Sequence, residues 1–236
     1  MQKIDKIYYI NLDRRPDRYE HFLKEIHNHN IPFDKVQRFE ALDGKTYKFS
    51  QKEKDMFKRS DFRTQNYSAK IMGNQLSHYK ILEEMIKKNY EYIIIFQDDV
   101  IFRKNFVEYM NNFDIPKDAE IINIGYHKFA AYNNFIPYNI DKPLINSKIN
   151  EDEKHIIKHS VNEYVGILTD TINPCSLAYI VTLKGAKNLK RYFDDVGFLR
   201  ATDMNYNDYL KSKNIFYGSK YILCTGNPCL GSDIFN

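Results

Sequence analysis

Residues 92–99 read YIIIFQDD. Five consecutive aromatic or β-branched residues, Tyr92 to Phe96, form the pattern of a strand covered on both faces, since a half-exposed strand would alternate apolar and polar positions. The run stops at Gln97, Asp98 and Asp99, so an amide and two carboxylates lie at the C-terminal end of what reads as the central strand. In an open α/β sheet, ligands bind outside the carboxyl ends of the strands. Adjacent carboxylates repel unless a cation or donors compensate, and Mg²⁺ or Mn²⁺ takes oxygen ligands and bridges to phosphates. A metal or phosphate site and a plain turn cap both fit this pair.

Working outward from that strand, Lys6 to Leu12 (KIYYINL) reads as a buried first strand. Pro16 then opens a helix in which Tyr19, Phe22, Leu23 and Ile26 recur at i, i+3, i+4 and i+7. A short strand at Val36 to Ala41 ends in the turn pair Asp43 and Gly44, followed by a charged helical stretch from Lys52 to Arg59. Gly73 and Asn74 precede another helix, with His78, Ile81, Leu82 and Met85 on one face. Beyond the central strand come strands at Glu120 to Gly125 and Ser176 to Thr182, the second running into a helix at Lys184 to Tyr192. This alternation predicts an α/β fold. No repeat, Pro-rich linker or low-complexity block divides it, so a single domain over residues 1–236 is expected. The long polar stretch from His127 to Asn173 is where acceptor binding is expected.

Composition narrows the function. The formal charge of +4 comes from 35 basic and 31 acidic residues mixed along the chain, with no basic arm to wrap a duplex, which argues against a nucleic-acid partner. Cys175, Cys224 and Cys229 make neither a disulfide framework nor a four-ligand zinc site. The apolar stretch after MQKIDK is closed by Asp13 and is too short for a signal peptide or a membrane span, so a cytoplasmic location is expected.

The segment Asn11 to Arg18 (NLDRRPDR) sets three arginines at the junction of first strand and first helix. Arg14, Arg15 or Arg18 there suits a diphosphate, because helix-terminal N–H groups also favour anions; a solvated helix start with ordinary ion pairs suits the same residues. His78 reads either as a ligand contact or as a core-edge histidine, and Ser77 as a helix-start donor. His155 and His159 lack the intervening carboxylate of a zinc protease helix.

Taken in order, these segments resemble glycosyltransferase family 25, which includes bacterial lipooligosaccharide galactosyltransferases and collagen hydroxylysine galactosyltransferases. The resemblance rests on YINLDRRPDR at Tyr9 to Arg18, ALDGK at Ala41 to Lys45, Gly73 through His78, and IIFQDDV at Ile94 to Val100. It continues with AYIV at Ala178 to Val181, GAKNL at Gly185 to Leu189, Asp203 in ATDMN, and SDI at Ser232 to Ile234. It implies a GT-A glycosyltransferase fold, a Rossmann-like mixed sheet flanked by helices.

The same resemblance implies transfer of a hexose, with galactose expected, from a UDP-sugar donor to a hydroxyl of a glycan or protein acceptor. Inversion at the anomeric carbon and assistance by Mn²⁺ (or Mg²⁺) go with it. Carried over by position, Asn11, Arg14, Arg18, Ser77, His78, Gln97 and Asp98 contact the nucleotide sugar, Asp99 and Asp233 hold the metal, and Asp203 is the general base. Three departures stand out: Gln97 where the family usually has Glu, Ile71 where it is often acidic, and Asn74 in place of a frequent Cys. An amide at 97 brings no negative charge. A noncatalytic nucleotide-sugar or glycan-binding protein and a UDP-glucose-dependent transferase are the alternatives.

Overall fold

Ile93, Ile94, Ile95 and Phe96 have no exposed surface, and each such side chain contributes roughly 1.5–3 kcal/mol by leaving water. A computed structural model describes residues 1–61, 68–126, 157–168, 176–213 and 215–233. The strands are β1 (Lys6–Asn11), β2 (Val36–Glu40), β3 (Tyr92–Gln97), β4 (Val100–Phe102), β5 (Ile121–Asn123), β6 (Gly125–Tyr126), β7 (Ile157–Ser160), β8 (Val165–Leu168), β9 (Ala178–Thr182), β10 (Tyr217–Ser219) and β11 (Cys224–Gly226). The helices are α1 (Pro16–Asn28), α2 (Gln51–Met56), α3 (Ser68–Lys88), α4 (Phe106–Asn112), α5 (Leu183–Val196) and α6 (Thr202–Lys213).

Among the described residues the main sheet has eight strands in the order β2-β1-β3-β9-β5-β10-β8-β7, beside a three-stranded sheet β4-β11-β6. β1 runs parallel to both β2 and β3, and β9 is antiparallel to β3 and β5. The carboxyl ends of β1, β2, β3 and β5 therefore point the same way. The period-2 alternation of β3 divides the core. Ile94 and Phe96 pack with Phe22 and Ile26 of α1 and Phe106 and Met110 of α4, whereas Ile93 and Ile95 pack with Leu82 and Met85 of α3, Leu189 of α5 and Tyr206 of α6. This is a Rossmann-like mixed α/β arrangement with helices on both faces. Among the described residues no helix is long and apolar enough to cross a membrane.

The structure shifts several expected elements. α3 begins at Ser68, so Gly73 and Asn74 lie inside it rather than before it. Gly73 is there because the loop after β2 presses on the helix: a Cβ on Gly73 would lie 2.1 Å from the Leu42 carbonyl oxygen, and one on Gly44 would lie 1.9 Å from that of Ala69. The buried stripe of α1 is Arg18, Phe22 and Ile26, while Tyr19 is 38% exposed. The polar stretch His127 to Asn173 lies mostly outside the described residues, but its part at 157–168 forms the antiparallel pair β7 and β8.

Candidate active site

The site is built at the carboxyl ends of β1 and β3. Arg18 lies one helical turn before Phe22 and two before Ile26, so its side chain shares their inward stripe. It is carried under the helix start, where only 7% of it is exposed. Nη1 of Arg18 donates to Oδ1 of Asp98 at 2.7 Å, and its Nη2 lies 3.4 Å from Oδ2 of Asp99. Asn11 ends β1 and donates from Nδ2 to the other Asp98 oxygen at 2.8 Å, while its Oδ1 accepts from Nε of Arg38 at 2.9 Å. Burial raises the Asp98 pKa, against the opposing charge of Arg18, and neighbouring Asp99 adds to the rise.

A second layer comes from the other end of the chain. After β11 the backbone runs back across the arginines: Asn227 N–H donates to the Asp99 carbonyl at 2.7 Å, and the Leu230 carbonyl accepts from Arg15 at 2.8 Å. The Gly231 carbonyl accepts from Arg18. Asp233 then accepts from Nη1 of Arg14 at 2.6 Å and from Nη1 of Arg15, with Nε of Arg18 3.7 Å away. Burial pushes the Asp233 carboxyl up, but the Arg14 hydrogen bond and the charges of Arg18 and Arg15 outweigh it and hold the pKa below the usual range. Arg14 is shared with Asp43 at 2.6 Å, and the Lys45 N–H donates to that carboxylate as well.

Expected and observed positions divide into three groups. Asn11, Arg14, Arg18, Asp98, Asp99 and Asp233 do come together. Gln97 does not join them: consecutive positions on β3 face opposite layers, and Nε2 of Gln97 meets Nε2 of His78 at 2.9 Å on the α3 side. His78 and Ser77 have no exposed surface. Ser77 donates to the Gly73 carbonyl at 2.7 Å and accepts from the Leu42 N–H at 2.9 Å, so its hydroxyl ties α3 to the loop after β2. Nδ1 of His78 lies 2.6 Å from the Tyr179 hydroxyl, and burial lowers the His78 pKa to about 3.

Asp203 sits in the first turn of α6 and is partly buried, its Oδ1 accepting from the Met204 N–H at 2.9 Å. Asn205, Tyr206 and Asn207 belong to the same helix and are buried. Thr202 donates to Asn74 at 2.8 Å and Asn205 to Gln75 at 2.9 Å, fixing this helix start against α3. Burial raises the Asp203 pKa, opposed by the N–H groups of Met204 and of Asp203 itself. No contact joins it to the arginine group among the described residues.

Arg38, Asp43, Tyr179 and Tyr206 are the participants that sequence reading did not single out. Asp43 and Tyr179 were within reach, since they lie in the ALDGK and AYIV segments; Tyr206 carries no local signal. A cavity lined by Asp118, Glu120, Lys184 and Lys213 opens at the amino end of β5 and contains none of the site residues.

Sheet order and site together define a Rossmann-like protein whose polar cluster lies where nucleotide ligands bind in such sheets. Residues 4–208 match the profile described as "Glycosyltransferase family 25 (LPS biosynthesis protein)", and the chain belongs to that family of glycosyltransferases. Asp203 falls within the matched residues and Asp233 beyond them. Procollagen galactosyltransferase 2 of Homo sapiens is 27% identical over 195 residues, covering 78% of this chain and 27% of the relative. A glycosyltransferase 25 family member of Anopheles gambiae is 28% identical, over 80% of this chain and 29% of its own length. A relative from Bos taurus, named probable inactive glycosyltransferase 25 family member 3, is 24% identical over 78% of this chain and 28% of its own. The chain thus spans less than a third of the length of these relatives.

Proposed function

We propose that this glycosyltransferase moves a hexose, galactose in the first instance, from a UDP-sugar to a hydroxyl of a glycan or protein acceptor, with inversion at the anomeric carbon. One observation carries the reading: Arg14, Arg15 and Arg18 converge on the single carboxylate of Asp233, all within 3.7 Å. Three guanidinium groups around one anion at the end of a parallel strand are suited to a diphosphate, whose oxygens accept the same donors.

In this reading the acceptor oxygen attacks the anomeric carbon as the bond to the diphosphate breaks on the opposite face. Asp203 takes the acceptor's proton. The arginines stabilise the charge that develops on the leaving UDP. The residues suit a divalent ion only in part. Among the described residues Oδ1 of Asp99 is buried without a partner, as a ligand position would be, whereas both oxygens of Asp233 are occupied by arginines. No group of three metal-binding side chains occurs among the described residues. One carboxylate with substrate phosphates is nonetheless a common way to hold Mg²⁺ or Mn²⁺. Asp99 is therefore the residue that would hold the ion, which when bound would add to the neutralisation of the diphosphate.

The test is a screen of UDP and UDP-hexoses by thermal shift, with and without Mn²⁺, followed by a transfer assay. UDP stabilises the fold by mass action if it binds the native state; no shift at millimolar UDP with Mn²⁺ rejects the donor class. Binding without hydrolysis or transfer favours a noncatalytic nucleotide-sugar-binding protein, a reading to which the "probable inactive" relative lends weight.

A further inference from the structure

Behind Gln97 runs a chain of buried polar groups that the reaction above does not use. Nε2 of Gln97 is 2.9 Å from Nε2 of His78, Nδ1 of His78 is 2.6 Å from Oη of Tyr179, and Oη of Tyr179 is 3.1 Å from Oη of Tyr206. His78, Tyr179 and Tyr206 are each at least 96% buried by exposed fraction, at 0%, 2% and 4% exposure. Tyr206 lies one turn beyond Thr202 and Asp203 in α6.

The chain has a direction. Burial keeps His78 neutral near physiological pH, and a neutral imidazole carries one N–H and one lone pair. With the Gln97 amide nitrogen turned toward the ring, as it stands in the structure, Nε2 of His78 is the acceptor and the ring proton sits on Nδ1. That proton goes to Tyr179, whose hydroxyl in turn donates to Tyr206. Tautomer and amide orientation imply each other in this arrangement, and Oε1 of Gln97 has no partner among the described residues.

We propose that His78 is a positioning residue: it fixes the Gln97 amide so that the carbonyl oxygen, not the NH₂ group, faces the ligand and accepts from one of its hydroxyls. The ligand class, a sugar or ribose hydroxyl of a sugar nucleotide, rests on the function proposed above; the direction of the chain does not. The two faces of β3 then offer opposite chemistry. On the α1 side guanidinium donors await phosphate, and on the α3 side a carbonyl oxygen repels phosphate and selects a donor.

Long-range ¹H–¹⁵N correlation spectra of the ligand-free, ¹⁵N-labelled chain test the direction, with the His78→Gln spectrum assigning the resonances. The expected result is His78 protonated on Nδ1, switching to Nε2 in Gln97→Glu, where a carboxylate replaces the donor. Protonation on Nε2 in the unmodified protein would reverse the chain and overturn the proposal. Kinetics with UDP-galactose supply the second arm. Tyr179→Phe removes the acceptor behind His78 and should raise KM by up to about tenfold, the worth of one oriented hydrogen bond, while kcat stays constant. His78→Phe should do the same, and His78→Gln, which keeps an acceptor at equal reach, should restore KM. An unchanged KM in Tyr179→Phe overturns the proposal, and a chain with the expected tautomer that binds no UDP-sugar would instead sink the donor assignment.

Discussion

Gln97 ends β3 and Asp98 begins the turn after it, yet their side chains go to opposite layers, the first meeting His78 and the second Arg18. An acidic motif read as one unit from sequence is thus two separate contacts. Gln97→Glu should leave Mn²⁺ affinity unchanged, because the restored charge faces α3. Asp99→Asn should abolish whatever increment Mn²⁺ adds to the UDP-induced rise in Tm. Calorimetric titration of both variants, with UDP present, distinguishes the two positions.

Both oxygens of Asp233 are taken by arginines, and on the proposed reading the carboxylate is a resident anion that UDP would have to displace. Asp233→Ala should tighten UDP binding by up to about fivefold, the scale of a partly exposed ion pair. Salt should narrow the gap between variant and parent. A metal ligand would give the opposite sign, with Mn²⁺-dependent UDP affinity falling.

Asp203→Asn keeps the shape of the side chain and removes its basicity. Transfer should drop by about 10²-fold or more while UDP affinity is retained. Since burial raises the Asp203 pKa and only the ionised form accepts a proton, transfer by the intact protein should increase with pH through a value above about 3.9, the ordinary aspartate pKa. Near-normal turnover in the variant would reduce Asp203 to a residue of the helix start, a role that Asn fills equally well.

His78 gives the fold a dependence on acid. Its pKa is lowered by burial from 6.5 to about 3, so between those values the unfolded chain binds a proton that the native state excludes. Stability therefore falls as pH drops through that window, by about 1.4 kcal/mol per pH unit for the one site. Urea melts from pH 7 to pH 4 should show a shallower slope for His78→Phe than for the parent; equal slopes would mean that His78 protonates without opening the core.

Gly73→Ala should destabilise, although alanine in a helix interior ordinarily gains about 1 kcal/mol over glycine. The added Cβ meets the Leu42 carbonyl at 2.1 Å, and backbone on both sides leaves nothing flexible to yield. A loss of about 1–3 kcal/mol is expected, read as a lower midpoint in denaturant. A neutral or higher midpoint would show that the loop after β2 can lift away.

Legibility in the sequence followed the physics of each signal. β1, β3, β9 and α5 were readable because continuous apolar runs and helical periodicity leave local marks, and the ligand end of the sheet follows from where β3 stops. The start of α3 was misplaced because Gly73 signals a break in isolation, whereas its purpose is close approach to a loop some thirty residues earlier in the chain. Two- and three-residue strands such as β4, β6 and β11 are too short for any period to register. The stripe of α1 was read by hydrophobicity, which passes over Arg18, a charged residue buried because Asp98 waits beneath it. The partners of His78 come from β9 and α6 and are set by packing alone.

The crossing of residues 227–233 over the arginines has a consequence for how the molecule is made. Arg14 and Asp233 are separated by 219 positions, so during synthesis the cationic cluster stays without this counterion until everything between has been translated. Closing so long a loop is entropically costly unless the intervening sheet has already brought the ends together. The contact is therefore expected among the last to form, and a nascent chain stalled after β11 would hold Arg14, Arg15 and Arg18 only through Asp43, Asp17 and Asp98, with the donors that Asp233 takes left to water.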